Sequence, residues 1–338
     1  MVANSIRLRQ MNEELVRSAL KSMESGTKNT IAAATGLSVA TCGNILQDLM
    51  MTGEVLETAP AESTGGRPSR RFLYNPDFAN AALMYVRREG RENSLFCCSV
   101  NMAGSVVHEV KRVCEDITPN EISNAFSELM HNYPRTKVLS VGIPGVVHDG
   151  TIGICDFPEL QHVPLRARLE NTFHLDVLVE NDVNSTALGY YQSKLNRPAE
   201  SVVYIYYPGG GNAGAGIIIN GKVLRGNTDF AGEVSFLPLG VDVNEQGNIQ
   251  KDTGRFADLV TRTILSVNAL INPETIVISG SRFTEDFRAL LNELVSEYAV
   301  SGHVPLLVFE QDIHESYIEG LKFLAIKKMS CEFEIIKK

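Results

Sequence analysis

The chain lacks three things that would settle its class at once: a long apolar run, a paired-cysteine motif and an excess of positive charge. No stretch of its 338 residues approaches the roughly 20 apolar positions of a membrane span. The opening residues, MVANSIRLRQ, carry no apolar segment behind their arginines and do not read as a secretory signal. A cytoplasmic protein is the expectation. The six cysteines (Cys42, Cys97, Cys98, Cys114, Cys155 and Cys331) form no CxxC pair, and no histidine pair stands at i, i+4 beside them. Zinc of the usual ligand spacing is therefore not expected, nor a disulfide framework in a chain this long. The formal charge of −9 argues against a chain that coats nucleic acid over its whole surface. It leaves room for a small DNA-binding module on an acidic body.

What is present is the composition of a globular protein, 44% hydrophobic and 21% charged, long enough for two or three domains. The charge is unevenly placed. Residues 1–75 hold eight basic and seven acidic side chains, net +1, and the remainder holds 23 and 33, net −10. Such asymmetry is a reason to treat the two segments separately.

Residues 12–52 read as three short helices. Leu15, Val16, Ala19 and Leu20 recur at helical spacing, Gly26 ends that helix and Thr27 can cap the next. Gly36 breaks the chain again, and Ser38 can cap a third helix with Ile45, Leu46 and Leu49 on one side. This is helix-turn-helix patterning. Two short strands, near Glu54–Glu57 and Arg71–Tyr74, flank a Gly-, Ser- and Pro-rich stretch, completing a winged-helix pattern over residues 1–75. In such a module the polar residues of the third helix reach base edges, here Ser38, Thr41, Asn44 and Gln47. Arg67, Arg70 and Arg71 of the wing are candidates for phosphate or minor-groove contact. The competing reading is a three-helix interaction module with solvated polar residues. The third helix has no Lys or Arg, and Gly43 in its interior costs roughly 1 kcal/mol relative to Ala.

From Phe78 onward strands and helices alternate, which predicts an α/β fold with a mainly parallel sheet core. Asn220-Gly221 between apolar runs signals a hairpin. Several strands end in small or polar residues, where open α/β sheets gather their ligands. Asp182 stands at one such end, placed to take a proton from a substrate hydroxyl or simply to cap the following helix. The glycine-rich run 209–216 could bring backbone N–H groups to a phosphate, or be a plain turn.

These pieces, in this order, resemble the ROK family of repressors, open reading frames and sugar kinases, and more closely its repressor branch. The segment Leu37-Ser38…Ala40-Thr41…Gly65-Gly66-Arg67-Pro68 is similar to the family's winged helix. Val141 to Gly145, Glu180-Asn181-Asp182-Val183-Asn184, Gly226…Ala231-Gly232-Glu233 and Asn272 to Gly280 are similar to its sugar-kinase body. The resemblance implies an actin-like ATPase (ribonuclease H-like) body of two lobes with a ligand in the cleft between them. One lobe would span residues 76–188 and be completed by a C-terminal helix, 317–338; the other would span 189–316. The resemblance also assigns roles: Asp182 to the base on the sugar hydroxyl, Asn181 and Glu233 to sugar contacts, and Asp156 to the place where the family usually has a sugar-binding Asn.

The departures carry as much meaning. The family's Asp-x-Gly-x-Thr phosphate loop corresponds to Tyr85-Val86-Arg87-Arg88-Glu89-Gly90-Arg91-Glu92-Asn93, without the carboxylate near a metal or the close-approach glycines. The second phosphate loop has Asn212 where Gly is usual, and the Gly-His after Ala-Gly-Glu is Ser235-Phe236. The zinc-binding cysteine segment is missing between Leu237 and Thr253. The expectation is therefore no zinc, no Mg·ATP, no efficient phosphoryl transfer and only a vestigial base at Asp182. The leading reading is a sugar-responsive transcription factor that binds operator DNA as a homodimer or higher oligomer, with a small carbohydrate or sugar phosphate as effector. The alternatives are a sugar kinase with an accessory N-terminal domain and a degenerate scaffold that binds DNA without ligand.

Overall fold

A computed structural model describes residues 2–58, 69–90, 92–195 and 201–330, with side chains from Leu8 onward. Arg67, with Gly65, Gly66 and Pro68, lies outside the described residues, as do Cys331 and the rest of 331–338.

The N-terminal unit consists of α1 (Val2–Ser22), β1 (Gly26–Thr27), α2 (Lys28–Thr35), α3 (Val39–Met51), β2 (Val55–Thr58) and β3 (Arg71–Tyr74). Both expected caps form. Thr27 makes a capping box with Thr30, and the Ser38 side chain accepts from the Thr41 N–H. Gly36 ends α2 with φ +72°, a left-handed turn that glycine adopts without a Cβ clash. Val16, Leu20, Ile31, Cys42, Ile45, Leu46, Leu49, Val55 and Phe72 bury one small core. The three strands pair antiparallel in the order β1-β3-β2.

The body is built twice on one plan. The first part runs β4 (Asn80–Glu89), β5 (Glu92–Asn101), β6 (Val106–Cys114), α4 (Pro119–Asn132) and β7 (Thr136–Ile143). It continues through the hairpin β8 (Gly145–His148) and β9 (Thr151–Cys155), α5 (Leu165–Phe173), β10 (Asp176–Asn181) and α6 (Asp182–Ser193). The second runs β11 (Ser201–Tyr206), β12 (Gly214–Ile219), β13 (Lys222–Val223), α7 (Gln246–Ile249) and α8 (Thr253–Ile271). It closes with β14 (Thr275–Ser279), α9 (Glu285–Tyr298), β15 (Leu306–Glu310) and α10 (His314–Met329). The strand orders are β10-β7-β4-β5-β6 and β13-β12-β11-β14-β15. In each, a three-stranded meander is followed by two strands added in parallel beside its first strand. The sheets are therefore mixed rather than mainly parallel. A meander needs only tight turns, and those at Gly90 and Asn220-Gly221 supply the positive φ that such turns demand.

Three apolar layers hold the body. α4 and α5 cover the outer face of the first sheet, and α8 and α9 cover that of the second. Between the sheets lie α6 and α10, whose Val183, Ala187, Tyr190, Tyr317, Ile318 and Leu321 pack with Leu83, Tyr85, Val202, Tyr204 and Val277 from both sheets. These two helices cross at glycine: a Cβ on Gly189 would overlap the Ser316 carbonyl oxygen, and one on Gly320 would overlap that of Ser185. The crossing fixes the N-terminal end of α6, and with it Asp182. No helix among the described residues is long and apolar enough to cross a membrane.

Candidate functional site

The carboxyl ends of β7, β9, β10 and β11 meet at a cavity of about 110 Å³. That is room for several waters, or one compact ligand. Asp156, Asn181, Asp182 and Glu233 all line it, 77 residues apart in sequence and brought together by the two sheets and α6.

Each is held differently. Asp182 is the first residue of α6 and is buried, and that burial, with Asp156 and Glu233 nearby, drives its pKa well above the ordinary carboxylate value. Glu233 precedes a short 3-10 turn; burial and then the Asp156 charge push it up to about 7. Asp156 follows β9 and faces solvent at the cavity mouth. Its surroundings raise its pKa by desolvation, and Arg88 opposes that rise. Asn181 is committed to structure at both ends. Its Oδ1 caps α6 by accepting from the Asn184 N–H at 2.8 Å, and its Nδ2 donates to the Gly145 carbonyl at 2.9 Å. The helix cap is thus Asn181, not Asp182, so the Asp182 carboxylate is not needed for that task.

The strand-end stretch Val86–Arg88 forms another wall. Arg87 turns to Asp312, with Nη1 at 3.1 and 3.0 Å from its two oxygens, and donates from Nη2 to Glu89 at 2.6 Å. Arg88 lies on the Phe157 ring, 4.7 Å from its centroid, and donates to the Asp156 carbonyl at 2.6 Å and the Asn93 side chain at 2.9 Å. The glycine run is closed by a side chain that sequence reading did not single out. Gln250 accepts from the Gly210 N–H at 3.2 Å and donates to the carbonyls of Pro208 and Gly211 at 2.9 and 3.1 Å. At that position the loop's backbone groups serve each other through Gln250. Asn212, Ala213 and Gly214 beyond it line the cavity. Ser235 and Phe236 also border it, Ser235 buried and Phe236 exposed. Among the described residues, no three His, Cys, Asp or Glu side chains gather as a metal-holding group.

In the N-terminal unit, α3 buries Cys42, Ile45, Leu46 and Leu49 and turns Ala40, Asn44 and Gln47 outward. Ser38 is exposed and Thr41 half-buried, their hydroxyls 2.8 Å apart at the cap. Arg70 is exposed and donates to Glu57 at 3.1 Å. Arg71 is engaged inward, donating to Ser25 Oγ at 2.9 Å and to the Ser25 carbonyl at 3.3 Å. A cation missed in the sequence stands beside α3: the Lys28 ammonium overlies Gly43, the one position on α3 where a missing side chain leaves it room. Lys28, Asn29, Val39, Ser69 and Arg70 line a shallow groove there.

Residues 90–250 match the ROK family model. Over those residues the chain has a ROK family domain. Among curated relatives, it is 26% identical over 261 residues to the xylose repressor of Caldicellulosiruptor bescii, covering 73% of this chain and 64% of that protein. It is 23% identical over 248 residues to the DNA-binding transcriptional dual regulator NagC of Escherichia coli strain K12, covering 71% and 61%. The chain thus spans somewhat under two thirds of those relatives' length. Among solved structures, a ROK family transcriptional regulator, described as a homologue of the E. coli MLC protein, superposes with a TM-score of 0.66 at 17% identity. That match covers 95% of this chain and 99% of the other. The ROK hexokinase of Thermus thermophilus superposes with a TM-score of 0.60 at 18% identity, covering 74% and 99%. The kinase-like α/β body is therefore the family's fold, and the curated relatives named above are a xylose repressor and a DNA-binding transcriptional dual regulator.

Proposed function

We propose that the protein is a sugar-responsive transcriptional regulator whose kinase-like body serves as a sensor rather than a catalyst. The observation that carries this reading is the union, in one chain, of an outward polar row on α3 and a carboxylate-lined cavity between two sheets. In this reading residues 1–75 are a winged helix-turn-helix. Asn44 and Gln47, flanked by Ser38 and Thr41, read bases in the major groove, and Lys28 and Arg70, with Arg67 of the wing, meet phosphates. Arg71 supports the hairpin from inside.

In the body, a small carbohydrate or sugar phosphate enters beside Asp156 and reaches Asp182 and Glu233, with Asn181 fixing the α6 end that presents Asp182. Phosphoryl transfer is not part of this function. Arg87, held by Asp312 and Glu89, stands where a metal-side carboxylate is needed, and Gln250 takes the backbone groups that would cradle a phosphate. No cofactor or metal is required. Ligand controls DNA by favouring one arrangement of the two sheets over another, a coupling that needs unequal affinity for the two states. A single winged helix with so few cations binds DNA weakly, so the working form is a dimer on a two-fold operator.

The test is a mobility-shift titration of the full chain on its own upstream DNA, with a panel of sugars and sugar phosphates. A sugar-dependent change in affinity is expected. Binding that no sugar alters removes the sensing function, and absence of DNA binding removes the regulator.

A further inference from the structure

The cavity is unusually one-sided in its chemistry. Asp156, Asp182 and Glu233 project into it from three different segments, and Asp229 borders it as well. Asp229 is satisfied by His148 at 2.6 Å and Arg225 at 3.7 Å, so it is not free for a ligand. The two lining cations are engaged elsewhere, Arg87 with Asp312 and Glu89, and Arg88 with Phe157, Asn93 and a backbone carbonyl. The Nε donor of Arg87 is buried there without a partner, and so are two further polar atoms of the wall: Asn184 Oδ1 on α6, a pure acceptor, and the Tyr317 hydroxyl on α10. Both residues are more than nine-tenths buried, Asn184 at 5% and Tyr317 at 0% exposure. A buried acceptor left unpaired costs about 1–3 kcal/mol, so Asn184 Oδ1 awaits a donor.

A neutral polyol supplies hydroxyl donors but no charge to set against three carboxylates. We propose that the ligand of this cavity is a free amino sugar, whose ring hydroxyls meet Asn184 and Tyr317 and whose protonated amine lies among Asp156, Asp182 and Glu233. This rests on the reading above that the cavity is the effector site, and it names the effector's class. The electrostatics are in keeping with it: burial first, and the Asp156 charge second, hold Asp182 and Glu233 above their ordinary pKa values, and Glu233 adds to the rise at Asp182. An ammonium placed there favours their ionised forms and relieves the repulsion. Acetylating the amine removes both the charge and two of its donors, so the N-acetyl sugar loses the interaction that distinguishes the site.

Isothermal titration and thermal shift on the full chain at pH 7 test this with glucosamine, galactosamine and mannosamine. Each is compared with its parent hexose and its N-acetyl derivative, and spermidine serves as a ring-free amine. At least one amino sugar is expected to bind tenfold or more tightly than its neutral partners. Asp156→Asn, at the exposed mouth, should cut that preference tenfold, and Glu233→Gln should do the same if the first variant fails to fold. Neutral or N-acetyl sugars binding as tightly as the amines would overturn the amine assignment and leave the sugar-sensing reading standing. Spermidine binding equally well would overturn the sugar ring. Binding of no compound at millimolar concentration would overturn both the effector site and this inference.

Discussion

Arg225 Nη1 lies 2.9 Å from Glu180 Oε1, and this pair ties the loop after β13 of the second sheet to the last strand of the first. The same loop supplies Asp229, whose carboxylate is 2.6 Å from His148 Nδ1 on the hairpin β8. Glu180 is buried at 6% exposure and also accepts from the Asn181 N–H at 2.9 Å. The arrangement between the sheets thus depends on charges as well as on α6 and α10. Arg225→Met leaves Glu180 buried without its cation and is expected to lower stability by about 1–3 kcal/mol. Thermal and denaturant unfolding read that loss. Glu180→Gln added to Arg225→Met should restore part of it, because the stranded charge is gone. If the double variant is no more stable than the single, the pair is not what Arg225 contributes.

Glu233 gives the body a pH dependence of definite sign. Its folded pKa of about 7 exceeds the ordinary 4.5, so the native chain holds a proton there that the unfolded chain releases. Stability from this group is therefore greatest below about 4.5 and falls as pH rises towards 7. Glu233→Gln should flatten the decline between those values by on the order of 3 kcal/mol, since each pH unit corresponds to about 1.4 kcal/mol. Asp182 is shifted in the same direction and keeps some slope in the variant. A variant whose unfolding free energy tracks the parent at every pH would remove Glu233 as the source.

On the N-terminal unit, Asn44→Ala with Gln47→Ala should weaken operator binding by tenfold or more, a consequence of the roughly 1–3 kcal/mol per good base pair contact. Both side chains are exposed on α3, so stability should change by no more than about 0.5 kcal/mol. Lys28→Ala should weaken binding evenly across sequences and reduce the salt slope by about one. Arg71→Ala behaves oppositely, lowering stability because its guanidinium holds Ser25. Mobility shifts at several salt concentrations, paired with unfolding curves, separate the three effects.

Phosphoryl transfer is expected to be absent. With Mg·ATP and a hexose panel, the full chain should show no turnover above that of Asp182→Asn in a coupled assay. Turnover that this substitution abolishes would restore a catalytic role to Asp182 and overturn the sensor reading.

Local signals were legible in the sequence, and long-range pairings were not. Thr27 and Ser38 reveal helix starts because a cap needs only its own next three residues. Asn220-Gly221 reveals a turn because both residues adopt positive φ, 51° and 74°. The four acids and amides of the cavity were found through family motifs and through the rule that ligands gather at strand ends. Gln250 in the glycine loop, Asp312 on Arg87 and Lys28 over Gly43 left no mark in sequence, since each depends on packing that joins distant segments. The sheets are mixed where the sequence predicts mainly parallel ones, because β6 alternates weakly, with Val106, Val107 and Val113 all exposed at the sheet edge.

Two glycines make opposing predictions from one physical argument. Gly189 lies where α6 meets α10 backbone to backbone, and a Cβ there would overlap the Ser316 carbonyl and crowd the Gly320 N–H. Backbone cannot swing aside as a side chain does, so Gly189→Ala must spread the two helices. The cost should reach or exceed the roughly 1–3 kcal/mol of overpacking, and the move displaces Asn184 on α6 and Tyr317 on α10, both in the cavity wall. Gly43 on α3 meets only the far end of Lys28, with a Cβ 3.2 Å from its ammonium. That side chain is free to rotate away, and alanine favours the helix by up to about 1 kcal/mol. Gly43→Ala should therefore raise stability while Gly189→Ala lowers it, measured side by side by denaturant unfolding. Destabilisation by both would mean that Lys28 is held over α3 more firmly than its exposure implies.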